Sequence, residues 1–462
     1  MLVVSPRDGK VIASVDEAGP DEVDRAVRAA RAAFDSGPWP RLPARERAAA
    51  LYRLADLVAA SADRLARTIS LEMGKPLRDS LGIEVPAVVK TFRWYAELAD
   101  KVAGEVAQST SEVLALVTRE PVGVVAAVVP WNFPLTMAAW KLAPALIAGN
   151  TVVLKPAEQS PLSALILAEL ALEAGLPADV LTVVNGPGPI TGRALGLHPG
   201  VDVVTFTGST AVGREFLRYS ADSNLKRVWL ELGGKSPNIV FADAPDLDAA
   251  ADMAAWGIFF NSGEMCTAAS RLLVHRSIAD DFVARVVSRA ALYAPGDPLD
   301  PATRMGPLVS EDHLSTVLGH VDRAVSSGAR LLTGGRRTLI ETGGSFLEPT
   351  ILDRVDPGMP VVRDEIFGPV LSVLTFSTVE EALTLAGDTD YGLAAGVWTR
   401  DLGAAHRVSR ALKVGTVWVN CYEEGDLTVP FGGTKLSGHG RDKSAHALDK
   451  FTDLKTTWLV LP

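Results

Sequence analysis

The chain has 462 residues, of which 48% are hydrophobic and 22% are charged, so it has the composition of a soluble globular protein and the length for more than one core. Its 45 basic and 55 acidic residues give a net charge of −10 without a basic stripe, which argues against a nucleic-acid partner. The apolar runs are too short to cross a bilayer and residues 1–10 lack the pattern of a signal peptide, which argues against a membrane partner.

The first hundred residues are predicted to be helical. Apolar residues recur at helical spacing from residue 23 to residue 34, and again from residue 51 to residue 69. We expect the second stretch to form one long helix that Gly74 and Pro76 bring to an end.

From residue 123 onward, short β-rich runs alternate with helix-like segments. The predicted strands cover residues 123–129, 151–154, 181–184, 202–206 and 227–230, and the predicted helices between them include residues 135–148 and 162–174. This alternation indicates a parallel, doubly wound sheet, in which active sites lie at the carboxyl ends of the strands. A second α/β region is expected from Gly233 to about residue 436.

Two segments fit neither α/β region. Residues 105–121 are predicted to form an exposed hairpin, and residues 452–461 an isolated strand. Unpaired apolar strand edges invite pairing with another chain. We therefore expect an oligomer.

The glycine motifs alone are ambiguous. Gly186 and Gly188 follow a predicted strand, but the spacing of a dinucleotide-binding GxGxxG motif is incomplete. Residues 208–213 have the glycine spacing of a P-loop, yet Arg214 and Glu215 stand where Lys and Ser or Thr are required, so an ATPase is not expected. A tight turn between a strand and a helix remains, and it can either bind a pyrophosphate or simply turn the chain.

Cys266 is the strongest local signal. The two cysteines, Cys266 and Cys421, exclude a disulfide framework and suit a reducing, cytoplasmic location. Cys266 has small neighbours, follows a glycine and precedes a helix-like stretch, where we expect backbone dipoles to favour the thiolate. Cys421 has no such neighbours and fits a small buried hydrophobic residue.

Seven motifs resemble those of the aldehyde dehydrogenase superfamily, in the order that the family has them. They are Pro130-Trp-Asn-Phe-Pro134, Lys155-Pro-Ala-Glu158, Phe206-Thr-Gly-Ser209, Glu231-Leu-Gly-Gly-Lys235, the segment from Asn261 to Arg271 around Cys266, Glu365-Ile-Phe-Gly-Pro369 and Pro430-Phe-Gly-Gly433. The resemblance implies two doubly wound Rossmann-type α/β domains and a small β oligomerisation arm. The implied NAD-binding domain covers residues 1–102 and 122–233, the catalytic domain residues 234–436, and the arm and C-terminal strand residues 103–121 and 437–462.

The resemblance also implies an NAD(P)-dependent oxidation of a small aldehyde to a carboxylic acid. Cys266 would form a thiohemiacetal and then a thioester, and Asn132 would bind the oxyanion with the Cys266 backbone N–H. Glu231 would be the general base for thioester hydrolysis. Apart from the resemblance, Asn132 fits a helix cap equally well, and Glu231 fits an ordinary carboxylate.

The cofactor implied is NAD rather than NADP, since Glu158 at the adenosine ribose would repel a 2′-phosphate. Glu365 resembles the residue at the nicotinamide ribose, and Phe367 the residue beside the nicotinamide. The full set of cofactor-site residues implied by the resemblance is Trp131, Lys155, Glu158, Gly188, Gly208, Ser209, Gly213, Leu232, Glu365 and Phe367. The aromatic residues that match the substrate tunnel, and that also fit plain core, are Phe133, Trp140, Phe260 and Phe431.

Three features depart from the family pattern. The chain starts close to the motif at residues 5–9, so the usual N-terminal β-hairpin is expected to be missing. Glu264 stands where many members have Gln, and its carboxylate would raise the pKa of a nearby thiol if it pointed inward. Asp442 replaces a longer Glu that would order the hydrolytic water.

A finer resemblance is to the γ-glutamyl-γ-aminobutyraldehyde dehydrogenases of putrescine breakdown. It rests on residues 93–97, 224–229, 424–430 and 440–444. It implies an aminoaldehyde substrate such as γ-glutamyl-γ-aminobutyraldehyde, with a broad specificity for other aliphatic or hydroxyaldehydes as the alternative. It also implies a homodimer or homotetramer.

Other classes of protein fit less well. A CoA-acylating dehydrogenase has no need of a base such as Glu231, and a non-catalytic relative would have a damaged nucleophile or base. A serine hydrolase would need a G-x-S-x-G motif, which the sequence lacks. The seven histidines lack the spacing of ligands, so no metal is expected.

Overall fold

The computed structural model describes residues 1–461, in which short strands and helices alternate along most of the chain. The strands are β1 (Leu2–Val4), β2 (Val11–Ser14), β3 (Glu105–Ala107), β4 (Val113–Pro121), β5 (Val124–Val128), β6 (Thr151–Lys155), β7 (Leu181–Val183), β8 (Val203–Thr207), β9 (Arg227–Glu231), β10 (Pro237–Val240), β11 (Arg271–His275), β12 (Arg330–Thr333), β13 (Arg337–Thr338), β14 (Phe346–Leu347), β15 (Thr350–Asp353), β16 (Val370–Phe376), β17 (Tyr391–Gly392), β18 (Ala394–Trp398), β19 (Thr416–Val419), β20 (Thr434–Lys435) and β21 (Thr452–Val460). The helices are α1 (Pro20–Asp35), α2 (Ala44–Ala60), α3 (Ala62–Met73), α4 (Leu77–Asp79), α5 (Val85–Leu98), α6 (Pro134–Ala148), α7 (Leu162–Glu173), α8 (Arg193–Leu197), α9 (Thr210–Ala221), α10 (Leu247–Phe259), α11 (Ala279–Ala290), α12 (Glu311–Ser326), α13 (Pro360–Arg363), α14 (Val379–Gly387) and α15 (Leu402–Ala411).

The first sheet is parallel throughout and has the strand order β7-β6-β5-β8-β9. Alternate residues of β5 face opposite sides, because successive side chains of a strand point to opposite faces. Val125 and Ala127 pack in one core with α2, α5, α6 and α7, whereas Val124 and Ala126 pack in another with α1, α8 and α9. Helices on both faces explain why β5 and β6 are buried along their whole length. The predicted doubly wound sheet is confirmed.

The second sheet has the strand order β12-β15-β16-β11-β10-β18-β19, and only β12 runs antiparallel to its neighbour. Helices again cover both faces. Leu272 of β11 packs in the core that contains α10 and α11, and the next residue, Leu273, packs in the core that contains α12, α14 and α15. The predicted second α/β region is therefore confirmed.

A third sheet is antiparallel, with the order β21-β4-β3. The predicted hairpin at residues 105–121 is confirmed, since β3 pairs with β4. The prediction of an isolated strand at the C-terminus is wrong: β21 pairs with β4 along nine residues, from Thr452 opposite Pro121 to Val460 opposite Val113. More than 300 residues separate these partners, and local patterns in a sequence do not reveal such distant pairing.

Two predictions for the first hundred residues need correction. The single helix predicted around residues 51–69 is two helices, α2 and α3, which meet at Ser61. Gly74 does end α3, in the left-handed conformation with φ +88°. The chain does open with a hairpin, β1 paired with β2, although none was expected there. Its turn contains the motif at residues 5–9 and is closed by a 2.8 Å bond from Ser5 N–H to the Lys10 carbonyl.

Within residues 1–461, no helix is both long and apolar enough to cross a membrane.

Candidate active site

The residues singled out in the first sheet lie where its parallel strands end. Asn132 follows β5, Lys155 is the last residue of β6, Gly208 follows β8 and Glu231 is the last residue of β9. Because these strands are parallel neighbours, their carboxyl ends share one edge of the sheet. The expectation that the marked residues gather at this edge is confirmed.

Asn132 is not a helix cap. The residue at the N-cap position of α6 is Phe133, and the first N–H groups of α6 are bound by Glu84 instead, whose Oε1 accepts from Leu135 (3.1 Å) and Thr136 (3.2 Å). Asn132 is buried, and its Nδ2 donates to the backbone carbonyl of Glu264 at 2.8 Å. Its side-chain amide therefore caps no helix and lies beside the segment that carries Cys266.

The backbone before Cys266 turns through three consecutive left-handed residues. Asn261, Ser262 and Gly263 have φ values of +50°, +57° and +72°. Such a conformation costs roughly 1–3 kcal/mol for each residue other than glycine, and it persists only where neighbouring groups hold it. Asn261 Nδ2 supplies one restraint, since it donates to the carbonyls of Asn132 (3.2 Å) and Glu264 (3.1 Å).

The cysteine segment is also in close contact with two other motifs. A Cβ on Gly263 would lie 2.3 Å from the carbonyl of Gly368, and a Cβ on Gly234 would lie 2.6 Å from the carbonyl of Cys266. Neither position has room for a side chain, because real Cβ atoms do not approach so closely. Three motifs that are distant in sequence are thus in contact at the backbone of the segment that carries Cys266.

The prediction of a helix-like stretch after Cys266 is wrong. Cys266 is followed by a turn and then by β11, not by a helix. The pKa of the partly exposed thiol is raised by desolvation and then by the negative charges of Glu423, Glu365 and Glu231. A backbone hydrogen bond from Thr267 does lower the pKa of Cys266, but the larger effects raise it. These effects favour the neutral thiol over the thiolate, so a proton must be removed before the sulfur can attack.

Glu231 is buried, and neither oxygen of its carboxylate has a hydrogen-bond partner in the protein. Oε1 lies against two glycines: a Cβ would be 2.5 Å away on Gly432 and 2.9 Å away on Gly440. Desolvation and the charge of Asp442 raise the pKa of Glu231, while three nearby cations, Lys450, Lys141 and Arg441, lower it. A carboxyl group whose pKa is raised in this way suits a general base.

Asp442 forms two buried ion pairs. It accepts from Lys141 of α6 at 3.1 Å and from Lys450, and all three side chains are at most 2% exposed. The two ammonium groups keep the pKa of Asp442 low even though burial alone would raise it. Sequence analysis found Asp442 but neither lysine, since a lone lysine carries no sequence signal for burial.

Glu264, the second departure from the family pattern, does not point at Cys266. Its Oε1 accepts from the Val309 backbone N–H at 2.9 Å and lies 3.8 Å from His313 Nε2. Burial raises the pKa of Glu264, which favours its neutral form, and it is not among the groups that shift the pKa of Cys266. The effect on the thiol that an inward carboxylate would have is therefore absent.

On the side of the first sheet, the structure brings Lys155, Glu158 and Gly188 together. Gly188 N–H donates to the Glu158 carboxylate, whose other oxygen lies 3.7 Å from Lys155 Nζ. Further along the edge, Ser209 is the N-cap of α9, with its Oγ accepting from Val212 N–H at 3.3 Å. This edge thus has a carboxylate, an ammonium group and a helix N-terminus.

Gly208 and Gly213 fix the same edge through packing. A Cβ on Gly208 would lie 2.4 Å from the ring of Phe206, and a Cβ on Gly213 would lie 2.8 Å from Leu232. Because it has no side chain, Gly213 lets α9 pack closely against the residues that follow β9. These glycines are explained by close packing, and the incomplete glycine motif alone would not have identified a nucleotide site.

Glu365 belongs to the second α/β region and contacts the glycines of the Glu231 motif. Its Oε1 accepts from Gly234 N–H at 3.0 Å, and a Cβ on Gly233 would lie 1.8 Å from its Oε2. Burial raises the pKa of Glu365 to about 7. Glu365 and Cys266 therefore both lie against the same glycine pair.

An aromatic group borders this region. The rings of Trp131 and Phe367 have centroids 5.4 Å apart, and His313 packs against both. His313 Nε2 contacts the carbonyl of Phe367 at 2.6 Å, which restrains a residue with φ +59°. Sequence analysis missed His313, because nothing in the sequence around it marks a functional histidine.

The four proposed tunnel aromatics form two pairs. Phe133 lies 6.3 Å from Phe260, and Trp140 lies 5.3 Å from Phe431, measured between ring centroids. Trp256 stacks on Phe260 at 4.7 Å and was not found from the sequence. Among residues 1–461, no grouping of three or more histidine, cysteine or acidic residues is arranged to hold a metal ion.

The first sheet is of the Rossmann type, and the segment that carries Cys266 is in contact with two other motifs. The family profile described as the aldehyde dehydrogenase family matches residues 1–457. The chain belongs to the aldehyde dehydrogenase family, and it is an oxidoreductase that acts on aldehydes. The resemblance of the motifs is thus confirmed.

The chain is similar along its length to characterised relatives. An NADP/NAD-dependent aldehyde dehydrogenase, PuuC of Escherichia coli K12, is 54% identical over 440 residues, which cover 95% of this chain and 88% of that protein. The γ-glutamyl-γ-aminobutyraldehyde dehydrogenase of Burkholderia cenocepacia has a crystal structure with a TM-score of 0.98 and 56% identity, over 100% of this chain and 93% of that one. An indole-3-acetaldehyde dehydrogenase complexed with NAD⁺ has a TM-score of 0.99 and 55% identity, with the same coverage.

Proposed function

We propose that this enzyme oxidises an aldehyde to a carboxylic acid with NAD, through a thiohemiacetal and a thioester on Cys266. The observation that carries the proposal is that Asn132 and the Glu231 motif both contact the backbone of the segment that bears Cys266. Asn132 reaches the carbonyl two residues before Cys266, and Gly234 of the Glu231 motif lies against the Cys266 carbonyl. The chain therefore has an amide donor and a base-bearing segment on two sides of its nucleophile.

The first half-reaction uses Cys266 and Asn132. The thiol loses its proton, and the sulfur adds to the aldehyde carbon to give the thiohemiacetal. We assign the stabilisation of its oxyanion to the Cys266 backbone N–H and to the hydrogen of the Asn132 amide that is not directed at Glu264. NAD, when bound, accepts the hydride that leaves this carbon, and the acyl group then remains on Cys266 as a thioester.

The second half-reaction uses Glu231. We propose that its carboxylate takes a proton from water, so that hydroxide adds to the thioester carbon and the Cys266 sulfur leaves. Its burial and its unpaired oxygens support this role. A carboxylate in this setting is a stronger base than one in water, because its pKa is raised.

The residues present fit a bound NAD. We assign Lys155 and Glu158 to the adenosine ribose, Ser209 and the start of α9 to the pyrophosphate, and Glu365 to the nicotinamide ribose. The remaining cofactor-side residues of this proposal are Trp131, Gly188, Gly208, Gly213, Leu232 and Phe367. Glu158 supports NAD over NADP, since a 2′-phosphate would meet its negative charge. The relative solved with NAD⁺ supports the same choice.

We propose the aldehyde channel at Phe133, Trp140, Phe260 and Phe431, which form two aromatic pairs. The NAD-binding domain is proposed at residues 1–102 and 122–233, the catalytic domain at 234–436, and the arm and C-terminal strand at 103–121 and 437–462. A homodimer or homotetramer is supported by Trp458 and Val460, which are 61% and 74% exposed on the edge strand β21. A cytoplasmic location is supported by two cysteines that are both unpaired.

The proposed substrate is an aminoaldehyde such as γ-glutamyl-γ-aminobutyraldehyde, which the named relative from Burkholderia supports. A broad specificity for aliphatic and hydroxyaldehydes is the alternative. The test is a panel of γ-glutamyl-γ-aminobutyraldehyde, 3-aminopropanal, butanal and glycolaldehyde, each with NAD and with NADP. We expect the highest kcat/KM for an aminoaldehyde with NAD as the cofactor. Equal values across the panel would favour the alternative, and no reduced cofactor from any aldehyde would contradict the function itself.

A further inference from the structure

Glu423 is a half-buried acid that the proposed reaction does not use. It lies just after β19, on a backbone with φ +57°, and one of its carboxylate oxygens is buried without a hydrogen-bond partner. The preceding residue, Tyr422, is buried, and its hydroxyl donates to the carbonyl of Thr267 at 2.7 Å. This bond holds the Glu423 segment against the residue that follows Cys266.

The charge of Glu423 acts directly on the nucleophile. Among the carboxylates that raise the pKa of Cys266, Glu423 has the largest effect, ahead of Glu365 and Glu231. A negative charge beside the thiol opposes formation of the thiolate unless a cation neutralises it. A carboxylate that disfavours the Cys266 thiolate is explained if the same carboxylate binds part of the substrate.

The surroundings of Glu423 contain little that would neutralise it. The Thr267 side chain bonds to its carboxylate, and Lys443 is the cation whose charge lowers its pKa. Lys443 Nζ is held over the ring of Trp140, 5.7 Å from the centroid, and it also faces Asp426 and Lys90. The other titratable neighbours, Cys266 and Tyr422, add no positive charge.

We propose that Glu423 binds the ammonium group of a short aminoaldehyde such as 3-aminopropanal, and so selects short cationic aldehydes over neutral aldehydes of the same length. The nearer nitrogen of γ-glutamyl-γ-aminobutyraldehyde is an uncharged amide, so that substrate does not use this contact. The inference rests on the proposed function, because the aldehyde must be bound at Cys266. The free, buried oxygen of Glu423 accepts from the ammonium group, as carboxylates do in ion pairs with amines. The bound ammonium also offsets the charge that opposes the Cys266 thiolate, so the substrate itself favours attack.

The test compares 3-aminopropanal with butanal, which has a methyl group in place of the ammonium group. In Glu423→Gln, kcat/KM for 3-aminopropanal should fall about tenfold or more, the size of effect expected for a hydrogen bond to a charged group, while kcat/KM for butanal should stay or rise. The matched control is Glu424→Gln, since Glu424 is the next residue and is exposed. It should change neither value.

A second measurement uses the unaltered enzyme and does not depend on how the variant folds. Burial raises the pKa of Glu423 to about 7, so the carboxylate ionises as the pH rises through that value. The ratio of kcat/KM for 3-aminopropanal to that for butanal should therefore rise between about pH 6 and pH 8. A flat ratio, or a Glu423→Gln variant that keeps the full preference for the amine, would overturn the inference. No activity with any aldehyde would instead overturn the proposed function.

Discussion

The side-chain amide of Asn132 donates a 2.8 Å hydrogen bond to the backbone carbonyl of Glu264, two residues before Cys266. This bond joins the end of a strand in the first sheet to the strained turn that carries the thiol. The bond holds the amide beside the segment that carries Cys266. Preorganised donors of this kind stabilise an oxyanion without reorganisation during the reaction.

Asn132→Ala should lower kcat by about 10²–10³-fold, the usual loss when one oxyanion donor is removed. The affinity for NAD, measured by the quenching of tryptophan fluorescence, should change little. Asn224→Ala is the control, since Asn224 is an exposed residue whose amide donates to the carbonyls of Pro199 and Val201. Equal activity in the two variants would remove Asn132 from the mechanism.

Glu158→Thr should relax the preference for NAD. The change removes the charge that would face a 2′-phosphate, so kcat/KM with NADP should rise while that with NAD falls. Steady-state kinetics with both cofactors provide the comparison. Glu169→Thr, which alters an exposed acid of α7, should leave the ratio as it is. An unaltered enzyme that prefers NADP would contradict the assignment.

Lys450→Met should move the acidic limb of the kcat profile to higher pH. Lys450 lowers the pKa of Glu231, so its loss raises that pKa further, and the basic form of Glu231 is then reached only at higher pH. Asp442 keeps its second partner, Lys141. Lys455→Met removes an exposed lysine of β21 and should leave the profile in place. An unshifted limb in Lys450→Met would show that this lysine does not act on the base.

A truncation after Phe451 should lower the molecular mass measured by light scattering, if β21 forms part of the interface between subunits. The truncated chain loses the edge strand with exposed Trp458 and Val460, which are suited to pairing with a second chain. Circular dichroism should show that the helices remain. A full-length chain that is monomeric at micromolar concentration would contradict the expected oligomer.

The local elements were predictable because they depend on neighbouring residues. The buried run at residues 124–128 and the helix at residues 134–148 follow from apolar spacing, and Gly74 marks the end of α3. Pairing of β21 with β4 joins residues that are far apart in sequence, so no local pattern contains it. The whole-length resemblance identified the fold, and it singled out Cys266 as the expected nucleophile, where periodicity alone left alternatives open.

The candidate site was predictable where a residue belongs to a motif, and less so where burial decides its behaviour. Glu264 was visible, but only the structure shows that it accepts from Val309 and turns away from Cys266. Lys450 and Glu423 act through buried charges, and the sequence does not reveal which charges are buried. Electrostatic effects of this kind depend on desolvation, which is a property of the folded chain.

The central claim is that Cys266 carries the acyl group and that Glu231 serves chiefly its hydrolysis. Intact-protein mass spectrometry after mixing Glu231→Gln with NAD and an aldehyde tests it most directly. In this variant the thiol can still attack the aldehyde, and the carbon of the thiohemiacetal can still lose its hydride to NAD, but water is no longer activated. We therefore expect a first-turnover burst of NADH, then a stall, with an acyl adduct that peptide mapping places on Cys266.

Two cysteine variants complete this measurement. Cys266→Ala should give neither the burst nor the adduct, and Cys421→Ala should retain most of the activity, because Cys421 packs against a small apolar cluster that contains Trp418 and Tyr422. Loss of the burst in Glu231→Gln, with partial recovery at higher pH, would assign Glu231 to deprotonation of the thiol instead. Full steady-state turnover by Glu231→Gln at neutral pH, or an adduct on Cys421, would contradict the account.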